Sequence, residues 1–376
     1  MASRPSVSLG SEHVRARADT SPPRDYARVQ LFHGPGQAFE LRRVPLPATL
    51  AAGEVLVEIT LATICGSDLH TFEGRRVSPT PGVLGHEAVG RVIASSRIGV
   101  LPGQRVTWSL ADSCGTCPAC SEYRLPQKCA SLFKYGHAAV RDGTGLNGGY
   151  ASHIVLRRGT AVFEVPEPLS DAAVAPVNCA LATIVNVLGT LPRPCRTALV
   201  QGGGLLGLYA CAMLRRRGVE NVFCCDVSEH RLALISEFGG TPLLATPQHW
   251  PAAVKRLHAA GGGGVDLVVE VAGSAAAVPQ GVRVLRPGGA YVWAGMVHPE
   301  TQLAITGEDV VRKCLEIRGV HNYAPADLEV ALRFVADTYR EYPYEKLVSP
   351  PLALEQLDEA VALAQRREWL RVAVKP

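Results

Sequence analysis

The sequence predicts an α/β protein in which a doubly wound parallel sheet is joined to a β-rich section. Three observations predict it. From about Pro176 onward, short apolar runs alternate with amphipathic stretches of roughly a dozen residues, the pattern of a parallel sheet with helical crossovers. From Arg28 to about Val165 the chain instead reads as short strands and turns punctuated by Gly and Pro. The length of 376 residues allows two or three domains at roughly 150 residues each.

The first section carries two β-rich runs, GEVLVEITLA (53–62) and GHEAVGRVIASS (85–96). The second opens with a mostly apolar stretch, CALATIVNVLG (179–189), read as a buried helix. A strand follows at RTALVQG (196–202), a helix at 205–218, a strand at NVFCCD (221–226) and a helix at 228–239. The alternation continues with a short strand at 242–245, a helix at 251–261, a strand at 265–271, a helix and turn at 279–289 and a strand at AYVWAG (290–295). That last strand stands near the end of the sheet and is read as its edge. A third stretch holds a strand at LEIRGV (315–320) and helices around 327–338 and 354–368. The GGGG run at 261–264 reads as a loop.

Composition removes several function classes. Apolar residues are 47% and charged residues 19%, so the chain is not disordered as a whole. The 37 glycines have no Gly-X-Y period, which excludes collagen. A net charge of +4 implies no nucleic-acid partner. No apolar run approaches the ~20 residues of a membrane span. Eleven cysteines without an apolar N-terminal signal point to a reducing compartment, read as the cytoplasm. Residues 1–25, rich in Ser, Arg and Pro, read as a disordered leader. Glu12, Asp19 and Asp25 count against the alternative of a mitochondrial import segment.

Gly202-Gly203-Gly204-Leu205-Leu206-Gly207 fits G-x-G-x-x-G between a predicted strand and a predicted helix, with Asp226 ending the next strand. Gly202 permits the tight turn, Gly204 the approach of a pyrophosphate and Gly207 close helix–strand packing. The helix N-terminus offers free N–H groups to the phosphates. Asp226 is expected to accept the ribose hydroxyls and to repel a 2′-phosphate, favouring NAD over NADP. Arg231, one turn into the next helix, contacts the same ribose or is a plain surface residue.

Cys114-x2-Cys117-x2-Cys120-x8-Cys129 puts four thiolates within sixteen residues and suits a closed tetrahedral zinc site. The iron–sulfur alternative places its fourth cysteine three residues on, followed by Pro; here eight residues intervene and Ala follows. A second constellation is Cys65-Gly66-Ser67-Asp68-Leu69-His70, followed by Gly85-His86-Glu87 and later Cys179. A catalytic zinc takes three protein ligands and keeps one position open. Cys65, His86 and Cys179 offer that set, although buried cysteines are often simply small apolar residues. Cys195, Cys211, Cys224, Cys225 and Cys314 take this second reading.

In this order, C-x-S-D-x-H, G-H-E, the four-cysteine lobe, a later cysteine and G-x-G-x-x-G with its Asp resemble the zinc-dependent medium-chain dehydrogenase/reductase family of the alcohol dehydrogenase type. The resemblance covers nearly the whole chain after residue 28. It implies a GroES-like catalytic domain over 26–178 and 322–376, with a zinc lobe at 110–130, and an inserted Rossmann NAD-binding domain over 179–321. It implies two zinc ions per chain. Cys65, His86 and Cys179 match the catalytic ligands, and Glu87 the acid behind the metal. Asp68 matches the acid that orients the ligand histidine. Ser67 matches the hydroxyl that takes the substrate proton, and His70 the end of the relay. Arg371, placed in the last strand, matches a basic residue near the coenzyme pyrophosphate.

Some polyol-type members use Glu as third ligand, which brings Glu164 and Glu167 into view. A narrower resemblance, carried by GRR (74–76), LPQKC (125–129), KYGH (134–137) and GGYASH (148–153), is to alcohol dehydrogenases associated with phosphonate catabolism. Arg75 and Arg76 could grip an anionic tail, or form a solvated loop. The expected function is hydride transfer between an alcohol, anionic or polyol-like, and NAD. The alternatives are a zinc-free quinone or enone reductase and a non-enzymatic dinucleotide-binding protein. The family also implies a homodimer or homotetramer, with the strand at 290–295 as the pairing edge.

Overall fold

The computed structural model describes residues 26–376 apart from 190, 193 and 296–301. The leader assigned to residues 1–25 lies outside the described residues.

The apolar runs of the second half form a six-stranded parallel sheet. Its spatial order is Thr241–Leu244, Asn221–Asp226, Thr197–Gln201, Val265–Glu270, Leu285–Trp293 and Glu316–Gly319. Thr197–Gln201 and Val265–Glu270 are buried at every position, as strands covered on both faces must be. The order turns back between these two strands, so a crevice opens beyond their carboxyl ends. Helix Leu205–Arg216 is buried over its first ten residues except Leu206. It lies between the sheet and helix Ala180–Val187, which in turn packs on helix Pro325–Thr338.

The first half and the chain's last strand build a second sheet. Its spatial order is Val162–Glu164, Arg105–Trp108, Glu87–Ser95, Val55–Ile64, Val372–Lys375 and Leu352–Ala353, with His153–Leu156 also on Val55–Ile64. The central strand Val55–Ile64 pairs with Glu87–Ser95 so that Thr63 faces Glu87. Its last residue, Ile64, faces Val372. Trp108, Tyr135, Tyr150 and Ile154 fill the core beneath.

Three readings of the sequence need correction. The strand at 290–295 is not an edge: Glu316–Gly319 pairs along it and takes the edge position. The helix at 228–239 is only one turn, Glu229–Leu232, followed by a 3-10 turn at Ser236–Phe238. The segment ends at Gly239, whose left-handed φ of 78° terminates the turn. Arg371 precedes the last strand rather than lying in it.

At the end of the parallel sheet opposite the crevice, Asp266 joins neighbouring strands. It accepts the Arg196 and Thr197 amides at 2.7 and 2.9 Å and Arg286 Nε at 2.5 Å. Burial opposes its charge, but the Thr197 amide, Arg286 and the Arg196 amide together hold its pKa below the ordinary value. Asp266→Ala should therefore cost about 1–3 kcal/mol in urea unfolding at neutral pH. Because the folded pKa is depressed, this stabilisation exists above the unfolded value of about 3.9 and is lost as pH falls through the folded value. The gap between wild type and variant should narrow in acid; a gap independent of pH would show that the carboxylate charge is not what holds the strands.

Candidate active site and metal centres

Strand pairing brings the reactive residues together. Cys65 follows strand Val55–Ile64 and caps helix Gly66–Phe72. His86 stands immediately before strand Glu87–Ser95. Since Thr63 faces Glu87, Cys65 and His86 end side by side. Asn178 adds the third strand of the argument: its Nδ2 donates to the carbonyls of His86 (2.9 Å) and Trp108 (3.1 Å), which sets Cys179 next to the pair. Tyr323 fixes Asn178 from the other side, donating its hydroxyl to the Asn178 carbonyl and accepting the Leu110 amide at 3.1 Å.

One ligand atom from each of Cys65, His86, Glu87 and Cys179 lies within 4.8 Å of the others. The two sulfurs are 4.0 Å apart. Zinc–sulfur bonds of about 2.3 Å at a tetrahedral angle place two sulfurs about 3.8 Å apart, so the donors fit zinc. Cys65, His86 and Glu87 are buried and Cys179 is half-buried, so the cluster is approached from the Cys179 side. Glu164 and Glu167 are exposed and outside this cluster.

Asp68 organises the cluster. One carboxylate oxygen accepts the Cys65 amide at 3.0 Å and the Tyr150 hydroxyl at 2.9 Å. The other lies 3.3 Å from His86 Nδ1, which turns Nε2 toward the sulfurs. Burial keeps the Tyr150 phenol protonated, and Asp68 reinforces it. Ser67 Oγ lies 3.4 Å from His86 Nε2. His70, one turn further on the same helix, is half-buried, and its carbonyl accepts the Arg76 amide.

Arg371 takes a different place from the one expected. Its guanidinium is buried, with Nε and Nη2 on the two Glu87 oxygens at 2.7 and 2.9 Å and Nη2 3.7 Å from Cys65 Sγ. Thr63 donates to the same carboxylate at 2.7 Å. Nη1 donates to the Leu370 carbonyl at 2.9 Å, so the guanidinium is held in place behind Cys65, His86 and Cys179.

The charges are strongly coupled. The Cys179 thiol donates to Cys65 and, with Arg371 and His86, holds the Cys65 pKa far below the thiol range against its burial. The same contact and burial push Cys179 up. Burial opposes a charge on His86, but Asp68 and Cys65 prevail and raise its pKa to about 10. Burial lifts Glu87 to about 7 despite Arg371.

The four-cysteine lobe forms as its spacing predicts. Cys117 Sγ lies 3.6 Å from Cys120 Sγ and 3.9 Å from Cys129 Sγ, and all four sulfurs fall within 4.8 Å. Backbone amides of Cys114 and Cys117 point at the sulfurs of Cys129 and Cys114, each at 3.3 Å. A 3-10 turn at Pro126–Lys128 brings Cys129 back to the other three. All eleven cysteines are free thiols.

The glycine motif caps helix Leu205–Arg216 at the crevice, with Gly204 in the cap position. A Cβ on Gly207 would stand 1.9 Å from the Gly202 carbonyl oxygen, while one on Gly204 would meet nothing. Close packing and an open cradle are the two things a dinucleotide requires here. Leu206 is half-buried on the first turn. Asp226 accepts the Gly203 and Ser228 amides, each at 2.9 Å, and lies 3.7 Å from Arg231. The side chain thus closes the turn and also stands at the crevice.

Sequence reasoning passed over Asn178, Tyr150 and Tyr323. Tyr150 stood in the quoted GGYASH run without a role, and each of the three acts through a partner far along the chain. The Arg75–Arg76 pair is split: Arg75 is exposed and paired with Glu73, while Arg76 is half-buried.

Two family models match the chain. Residues 51–167 match the alcohol dehydrogenase GroES-like domain and residues 206–337 the zinc-binding dehydrogenase model. The chain is 28% identical to 5-exo-hydroxycamphor dehydrogenase of Pseudomonas putida, over 84% of this chain and 90% of that one. It is 29% identical to D-xylulose reductase A of Aspergillus oryzae, over 84% and 87%. The solved alcohol dehydrogenase of Thermotoga maritima superposes with a TM-score of 0.87 at 28% identity, covering 93% of this chain and 99% of that one. An alcohol dehydrogenase from E. coli CFT073, solved with NADH, superposes at 0.81 with 25% identity, covering 94% and 100%.

Metal analysis of the purified protein should find two zinc ions per chain, and Cys120→Ser should remove one while the other remains. His86 and Cys179 both hold protons at neutral pH without metal, so zinc must displace them. Apparent affinity at that cluster should rise with pH through the neutral range, with proton release on titration. An affinity flat with pH would rule this protonation pattern out.

Proposed function

The chain belongs to the zinc-dependent medium-chain dehydrogenase/reductase family, and on that premise we propose that it interconverts an alcohol and its aldehyde or ketone at the Cys65–His86–Cys179 cluster, with NAD as partner. The observation that carries this reading is the buried Cys2His donor set with a serine hydroxyl 3.4 Å from its histidine. Zinc supplies a Lewis acid for the alcohol oxygen, and NAD accepts the hydride.

The chain's own residues do the rest. Asp68 holds the His86 ring through Nδ1, and Tyr150 holds Asp68. Ser67 takes the alcohol proton at Oγ and passes it toward His70, one turn along the helix. Ser67 and His70 would thus carry away the proton that accompanies the hydride accepted by NAD when it is bound. Arg371 and Glu87 hold each other behind the sulfurs, with Arg371 Nη2 also beside Cys65 Sγ. Cys114, Cys117, Cys120 and Cys129 hold a second zinc with no open position, a structural one. Gly202, Gly204, Leu206 and Gly207 form the pyrophosphate cradle, and Asp226 and Arg231 meet the ribose. A zinc-free quinone reductase, or a protein that only binds dinucleotide, has no use for this donor set and relay. The chain is read as a homodimer or homotetramer whose open edge is Glu316–Gly319.

NADH formation by zinc-replete protein over a panel of alcohols tests the reading directly, and silence across a broad panel would end it. Ser67→Ala should lower kcat about 10²–10⁴-fold with zinc content and NADH binding retained; an unchanged kcat would remove Ser67 from the relay. Asp226→Ala should weaken NAD and admit NADP; an unaltered NAD-to-NADP ratio would make Asp226 a turn residue only.

A further inference from the structure

A short segment, residues 320–323, stands between the two groups of metal ligands. It leaves the parallel sheet where the Val320 amide donates to the Trp293 carbonyl at 2.8 Å. Asn322 then takes a left-handed φ of 56° and turns the chain toward helix Pro325–Thr338. Its carbonyl accepts Asn186 Nδ2 at 2.8 Å, which fixes the turn on helix Ala180–Val187. Tyr323, the next residue, is buried, and its hydroxyl meets Leu110 on one side and Asn178 on the other.

Leu110 is the root of the cysteine lobe. Directly after it, Ala111–Asp112 pairs with Phe133–Lys134, and the Leu110 carbonyl accepts the Tyr135 amide at 3.1 Å. This two-stranded stem closes the loop that carries Cys114, Cys117, Cys120 and Cys129. An ion that draws the four sulfurs together therefore restrains both stem strands, and with them the Leu110 amide. That amide donates to the Tyr323 hydroxyl at 3.1 Å, and the hydroxyl donates to the Asn178 carbonyl. Burial keeps the phenol protonated, so it serves both bonds at once. Asn178 Nδ2 passes the restraint to the carbonyls of His86 and Trp108, and Cys179 is the next residue. One hydroxyl thus connects the lobe's stem to two ligands of the other cluster.

The rest of the lobe's seat on this segment is loosely made. A small cavity lies between Ser113, Pro126, Gln127 and Leu132 on the lobe and Asn322 and Tyr323 on the segment. Gln127 Oε1 is buried without a partner among the described residues. Lys128 Nζ, 2.9 Å from His321 Nδ1, bridges the rim at an exposed place. Atoms that face a gap have lost their contacts across it, so the seam transmits little. Tyr323 is bonded on both sides away from water, where leaving either bond unmade is costly.

We propose that Tyr323 is a positioning residue that couples the two metal centres, so that a filled lobe tightens the Cys65–His86–Cys179 cluster for its own metal. The proposal rests on the two-zinc reading above and is independent of the substrate. Coupling of this kind is reciprocal: the factor by which the lobe metal raises affinity at the cluster is the factor by which the cluster metal raises affinity at the lobe.

The test follows metal binding in the full chain, not turnover. With zinc in the lobe and cobalt in the cluster, the cobalt absorption bands report cluster geometry, and competition with a chelator gives the affinity. Emptying the lobe with Cys117→Ser and Cys120→Ser together should lower cluster affinity about fivefold or more and shift the bands. Tyr323→Phe, which removes one oxygen, should do the same with the lobe still filled. Combining the two should cost less than the product of the separate losses. Lys128→Met, which breaks the rim bridge, should leave the bands in place. If the emptied lobe does not fold, reciprocity supplies the second arm: Cys179→Ser should speed release of the lobe zinc to the chelator, and should not do so once Tyr323 is Phe. Multiplicative losses, bands and affinity unmoved by Tyr323→Phe, or an equal shift in Lys128→Met overturn the proposal. Wild-type protein that shows no cobalt bands from the cluster would end the metal reading and the coupling with it, an outcome distinct from bands that are present and unmoved.

Discussion

The guanidinium of Arg371 is enclosed in protein, with two of its nitrogens on the two oxygens of Glu87 and one of them also beside Cys65 Sγ. Taking both ions out of water costs several kcal/mol each, and only good geometry and further hydrogen bonds offset it. Here the geometry is a two-pronged fork and Thr63 supplies the further bond. The arrangement does more than pair two charges. It places a cation behind a cluster that must carry thiolates, so Cys65 can be ionised in a dry site. It also makes the metal ligands depend on a residue 284 positions later, held in place because Val372–Lys375 pairs with Val55–Ile64.

From that wall outward the site is a sequence of restraints, each removing a freedom from the next. Tyr150 and the Cys65 amide hold Asp68; Asp68 holds His86; Asn178 holds the His86 carbonyl and so Cys179; Tyr323 holds Asn178. Residues from both sheets and from the segment between them take part. Donor positions set this tightly are the condition for binding one metal in one geometry. Of the four clustered residues only Cys179 is half-buried rather than buried.

Legibility followed distance along the chain. The cysteine lobe was readable because four ligands fall within sixteen residues and the spacing alone restricts them. The glycine motif was readable because strand, turn and helix are contiguous. The strands and crossovers of the parallel sheet followed from alternation, but their spatial order did not, and the edge was misplaced. The strand at 316–319 lies across a gap from the one it covers, and no local signal announced the pairing. The helix at 228–239 had the right period, but it is broken into two short turns, the second ended by the left-handed Gly239. Arg371 was recognised as functional, but its pairing with Glu87 was not legible, because an arginine in a terminal segment does not display which carboxylate it will meet.

The two metal centres also differ in when they can exist. The lobe's ligands lie between residues 114 and 129, so they can close on an ion as soon as that stretch has left the ribosome. The other centre has Cys65 and His86 early, but its closing cation is made only after the whole parallel sheet has been synthesised. A nascent chain therefore carries an unfinished site from His86 until Arg371 is made, which is most of its elongation, at roughly 5–20 residues per second. In that interval the sulfur of Cys65 has neither Arg371 to stabilise its charge nor a covering strand to exclude water. On the proposed reading, order of synthesis thus separates a ligand set that can close during elongation from one that only the folded chain completes.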